Sequence, residues 1–130
     1  MRREVALARL EKVVARLVEV QGVIETPDCA YRALHIRKAY LFGSLLKGSE
    51  SPNDIDILLH SAVVGPYRNA DEVGHDPAYL RRHGLRLSRD THAVALKGLR
   101  LNIPMLRFHD IDIDGVIATP RREIFPRFCL

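Results

Sequence analysis

At 130 residues the chain is long enough to bury one core and too short for a catalytic domain with a separate substrate-binding domain, so a single domain spanning 1–130 is expected. Hydrophobic residues make up 47% and charged residues 28%, a balance that excludes a disordered chain, and no apolar run approaches the length that spans a bilayer. Twenty Lys and Arg against sixteen Asp and Glu leave a net charge of +4, a sign that suits a polyanionic ligand or an acidic partner without naming one.

The opening stretch MRREVALARLEK lacks the uninterrupted apolar core of a secretory leader, which predicts a cytoplasmic protein. Leu7, Leu10, Val14 and Leu17 recur at three- and four-residue steps among charged residues and predict an amphipathic helix over 4–20, stopped by Gly22. Thr26-Pro27-Asp28 has the order of an N-cap, a first-turn proline and a first-turn acid, and predicts a second helix to about Ile36. Lys38 to Phe42 then predicts a short strand closed by Gly43-Ser44. A polar turn from Lys47 to Asn53 leads into a second strand, Asp54 to Leu59.

Residues 61–76 show no period and predict a long loop. Asp76-Pro77 predicts a helix start, and Ser88 caps a helix carrying Val94, Ala95 and Leu99 that Asn102 and Pro104 interrupt. Met105 to Ile113 predicts a third strand, and Val116–Ala118 with Glu123–Phe125 predicts a closing hairpin. The expected fold class is α/β (α+β), a short mixed sheet with helices packed on one face and the Asp54/Asp56 site on the other.

The chemistry concentrates between residues 42 and 60. Side chains two apart on a strand project to one face, so Asp54 and Asp56 point together while Ile55 and Ile57 face the core. Two carboxylates about 6.6 Å apart repel unless a cation lies between them, and Mg²⁺ accepts one or two carboxylates plus phosphate oxygens. Gly43 lets a backbone amide approach an anion closely, Ser44 adds a hydroxyl donor, and Lys47 brings a point charge three residues on. A lone Gly-Ser turn or a lone Asp-x-Asp is most often ordinary surface. Their combination at a ten-residue spacing from Ser44 to Asp54 is far more selective.

AYLFGSLLKGSESPNDIDILLH resembles the signature of the DNA polymerase beta-like nucleotidyltransferase superfamily, and within it the minimal nucleotidyltransferases. The likeness runs from about Lys38 to His60. Gly43, Ser44, Gly48, Asp54 and Asp56 match the family pattern, whereas Lys47 stands in place of Arg, Leu46 of Ala and Asn53 of Ser. Lysine keeps the charge but loses the bidentate fork. The resemblance implies a nucleotidyltransferase fold and a Mg²⁺-dependent enzyme, with Mn²⁺ as the other candidate metal. It would move a nucleoside monophosphate from an NTP, ATP first among them, to a hydroxyl on protein or RNA and release pyrophosphate. Gly43, Ser44 and Lys47 would hold the triphosphate. Asp54 and Asp56 would bind metal with a third carboxylate on a later strand.

For that third acid, Asp110, Asp112 and Asp114 share parity in RFHDIDIDG. Asp112 has the apolar-Asp-apolar setting of the family's third ligand and is the candidate metal residue, Asp110 is nearer the strand centre, and both stand as catalytic candidates. Asp114 beside Gly115 reads as a turn. The same resemblance implies a separately encoded helical HEPN-type partner or a homodimer. The competing reading is a nucleotidyltransferase-like binding module without turnover, such as one half of a toxin–antitoxin pair.

Elsewhere the sequence carries less. Cys29 and Cys129 are far apart and form no zinc spacing. Of six histidines, only His109 falls near the chemistry. Arg81, Arg82, Arg86 and Arg89 read as a solvated helix face, with an acceptor or nucleic-acid surface as the alternative.

Overall fold

The computed structural model describes residues 1–26, 29–65, 90–111 and 120–129. The first helix, α1 (Arg3–Glu19), buries Ala6, Leu10, Val13 and Leu17, a stripe at three- and four-residue steps. The expected Leu7 and Val14 flank that stripe, half-buried. Glu4 in the first turn and Arg16 in the last suit the helix dipole. Gln21 and Gly22 both take positive φ, and the Gly22 amide donates back to the Leu17 carbonyl at 2.9 Å. Gly22 thus ends the helix as expected and turns the chain into β1 (Val23–Glu25).

The helix expected over 26–36 is not formed at its described C-terminal end. Ala33 to Ile36 belong to β2 (Ala33–Phe42). Thr26 supplies the reason: its hydroxyl donates to the Tyr31 carbonyl at 2.9 Å and its amide donates to the Arg32 carbonyl at 2.8 Å. Through these two bonds it closes the connection between β1 and β2. The Thr-Pro-Asp cue is local, and pairing with two neighbouring strands outweighs it. Pro27 and Asp28 lie outside the described residues.

β2 pairs antiparallel with β3 (Ile55–Val64) along its whole length. The start of the predicted loop, 61–64, is therefore strand, because Ser61 to Val64 pair with Ile36 to Ala33. A bulge at Arg37, where the register shifts between Ile36 and Lys38, reverses the side-chain parity of β2. Leu34 and Ile36 face the core before it, and Ala39 and Leu41 after it. One extra residue keeps both halves of a ten-residue strand apolar on the same side.

The second helix, α2 (Asp90–Arg100), buries Thr91, Ala95 and Leu99 at four-residue steps and leaves Val94 exposed. Leu101 and Asn102 then take positive φ. β4 (Leu106–Asp110) runs parallel to β3, a crossover pairing. β5 (Arg121–Phe125) pairs antiparallel with β2. The hairpin expected between β5 and 116–118 has its other arm outside the described residues, and the β5 arm lies along β2. Among the described residues the sheet has five strands in the order β1-β2-β3-β4, with β5 joining β2. Because β3 holds one edge of β2, β1 and β5 share the other, end to end.

One apolar cluster joins both helices to Ile55, Ile57 and Leu59 of β3, Leu41 of β2 and Leu106 of β4. The two described helices thus pack on the same face of the mixed sheet. Asp56, Leu58 and His60 alternate onto the second face. There Leu58 is fully buried yet stands outside that cluster. No helix of the described residues is long and apolar enough to cross a membrane.

Candidate functional site

The site begins where β2 ends. Gly43 leaves the strand at φ +79°, and a Cβ there would come 2.5 Å from an Asp56 carboxylate oxygen. The left-handed backbone favours glycine there, and any side chain would press on the Asp56 carboxylate. The chain then makes one helical turn. The Lys47 amide donates to the Gly43 carbonyl at 3.1 Å and the Ser49 amide to the Ser44 carbonyl at 3.1 Å.

Leu45 plugs the turn into the core. The Arg3 guanidinium donates to the Leu45 carbonyl at 2.7 Å and to the Ser49 carbonyl at 3.4 Å, while the Arg3 amide donates to the Glu50 carbonyl at 3.0 Å. The start of α1 therefore braces the turn from behind. Ser44 and Lys47 of this turn are exposed.

β3 opens where the Ile55 amide donates to the Met105 carbonyl at 2.8 Å. Asp54 lies one residue before it and Asp56 one residue inside. Phe42 of β2 pairs with Asp56, and Asp56 with Arg107 of β4. Arg121 of β5 pairs with Phe42, so a row Arg121–Phe42–Asp56–Arg107 crosses four strands. Residues opposite one another across strands share a face. This face therefore carries both carboxylates, with Gly43 at its rim.

Two basic side chains stand against the acids. The Arg107 guanidinium lies 3.5 Å from an Asp54 carboxylate oxygen, and His109 Nε2 lies 3.7 Å from an Asp56 carboxylate oxygen. The His109 ring meets Phe42 edge-on at 5.2 Å between centroids. Arg121 stacks over Tyr40 at 4.7 Å on the same face.

Asp110 is elsewhere. Its register partner is Leu59, on the helix-covered face, where it is buried and accepts the Ser61 hydroxyl. The structure thus sets Gly43 against Asp56 with Asp54 on the same face, leaves Ser44 and Lys47 exposed on the adjoining turn, and does not bring Asp110 to them. Asp112 and Asp114 lie outside the described residues, as do Arg81, Arg82, Arg86 and Arg89.

Sequence reasoning missed Arg107. The signal was present in the alternation of Leu-Arg-Phe-His-Asp, since placing Phe108 and Asp110 on one face puts Arg107 and His109 on the other. What the local pattern could not supply was which neighbouring strand that second face adjoins. Among the described residues no three His, Cys, Asp or Glu side chains form a preassembled metal cage. Comparison of the chain with family models, curated proteins and solved structures found no match, so the reading of this site stands on its own residues.

Proposed function

We propose that this chain is a nucleotidyltransferase-type domain that takes an NTP and a divalent metal at Asp54 and Asp56. It would transfer a nucleoside monophosphate to a hydroxyl on protein or RNA with loss of pyrophosphate. The observation that carries the proposal is the apposition of the Gly43 backbone to the Asp56 carboxylate. It sets an exposed turn, with Ser44 and Lys47, directly beside two acids that share a face.

The donor set fits Mg²⁺ of the kind that arrives on a triphosphate. Such an ion needs one or two protein carboxylates and completes its shell with phosphate and water, so a three-residue cage is not required. Asp54 and Asp56 would hold it, and when bound it would neutralise phosphate charge and lower the barrier to attack by the acceptor hydroxyl. The chain's own contribution is positional. The Arg3 brace and the Leu45 anchor keep the turn at a fixed distance from β3. Ser44 and Lys47 offer a hydroxyl and a charge to phosphate oxygens, and rigid placement of this kind accounts for much of phosphoryl-transfer catalysis.

A second reading has an observation of its own. Asp110 faces the core, and Arg107 and His109 occupy the β4 positions beside the acids. That arrangement favours a domain that holds nucleotide without turning it over, as in one half of a toxin–antitoxin pair, unless Asp112 provides the third carboxylate.

Incubation with Mg²⁺, each α-labelled NTP and candidate RNA or protein acceptors separates the two. Label transfer that falls by at least about a hundredfold in Asp54→Asn and Asp56→Asn supports the enzyme. Nucleotide binding without transfer in the wild type supports the binding module. Transfer that persists in both variants removes the mechanism.

A further inference from the structure

We infer that Arg107 is a ligand for the nucleotide's phosphates, held in reserve by Asp54, and that it exchanges the carboxylate for a phosphate oxygen when the metal–nucleotide complex enters. The inference rests on the nucleotide reading of the site. Arg107 registers with Asp56 across the parallel β3–β4 pair, so its backbone is fixed beside the acids and only its side chain can move. Its flanking residues Leu106 and Phe108 pack on the core cluster and hold that strand in place.

The present contact is loose. The guanidinium is 3.5 Å from Asp54, and the two side chains are 60% and 33% exposed. A solvated pair of this kind contributes little and is readily opened. A dication on Asp54 and Asp56 would claim the same oxygen lone pairs and repel the guanidinium. The nearest anion left to it would be the phosphate chain that the metal carries, whose oxygens match the planar donor fork of arginine. His109 faces Asp56 at 3.7 Å but is less exposed and sits edge-on to Phe42, so Arg107 is the freer of the two side chains.

Competition followed by exchange makes the two affinities move in opposite directions. With the full chain, Mn²⁺ binding without nucleotide is read by paramagnetic resonance, and binding of a non-hydrolysable ATP analogue with Mg²⁺ by calorimetry. Arg107→Ala is expected to bind Mn²⁺ about threefold more tightly and the analogue about tenfold more weakly, with Arg107→Lys intermediate for the analogue. Unchanged analogue affinity, or Mn²⁺ binding that weakens, overturns the role of Arg107.

The double variant Asp54→Asn/Asp56→Asn separates this failure from failure of the site itself. If it keeps both Mn²⁺ and analogue, the nucleotide reading falls and takes Arg107 with it. If it loses both while Arg107→Ala behaves as wild type, only the Arg107 inference falls. The solvent-facing position of Arg107 leaves the fold intact in either substitution, and thermal melts of both variants verify that.

Discussion

Asp110 and Asp56 have the same side chain on adjacent strands and different work. Asp56 opens onto the face with Gly43 and His109. Asp110 is 5% exposed and takes the Ser61 hydroxyl on the opposite face. One step of strand parity separates a ligand candidate from a structural carboxylate. Asp110→Ala should therefore lower stability by about 1–3 kcal/mol, because it leaves a buried hydroxyl without its acceptor. It should leave Mn²⁺ binding at Asp54 and Asp56 as in the wild type. Urea titration and a Mn²⁺ titration on the same preparation check both halves, and unchanged stability with lost Mn²⁺ would return Asp110 to the metal site. That Asp54 and Asp56 share a face was legible in the sequence, since alternation along one strand is a local property. That Arg107 and His109 oppose them was not, because it depends on the register of β4 against β3 across a parallel crossover.

At the scale of elements, what matters is how the start of α1 is tied to the turn after β2. Arg3 reaches the carbonyls of Leu45 and Ser49, so a residue forty-two positions before Leu45 holds the backbone of that turn in place. Arg3→Ala should loosen the turn by about 1 kcal/mol, seen as roughly fivefold faster amide hydrogen exchange at Lys47, Gly48 and Ser49. Exchange in β3 should stay unchanged. Exchange that is equally slow at those three amides would show that Leu45 alone secures the turn. The elements themselves were unevenly readable. The strand–turn–strand around Gly43 and the helix α1 announce themselves through period and glycine placement. The stretch from Thr26 to Ile36 does not, because its helix-start cue is opposed by pairing with β1 and β3. The bulge at Arg37 was equally hidden, because nothing in Ile-Arg-Lys-Ala alone says where an extra residue is absorbed. Without it, a period-two reading of the whole strand breaks halfway.

Among the described residues, a five-stranded sheet carries both helices on one face and presents Asp56 on the other. The expected α/β architecture with a mixed sheet is present. The second face is not uniformly open, since Leu58 at its middle is fully buried, and the charged row lies at the end of the strands, next to the glycine turn. Asp54, Asp56 and Arg107 stand outside the core cluster, so their substitutions can be read as effects on the proposed site.

The edge that β1 and β5 share has its own consequence for how the molecule can be divided. β5 comes from the far end of the described chain, yet it supplies the backbone partners of Ala39 to Phe42, immediately before Gly43. A chain cut ahead of Arg121 would expose a strand-length slot beside the Gly43 turn, and strand addition is a general way to fill such an edge. A synthetic peptide of residues 120–129 should therefore restore analogue binding to the shortened chain in trans. Recovery that depends on Ile124, lost in a peptide carrying Ile124→Asp, would make the last strand a separable subunit of the site. Full binding by the shortened chain alone would show that the edge needs no partner.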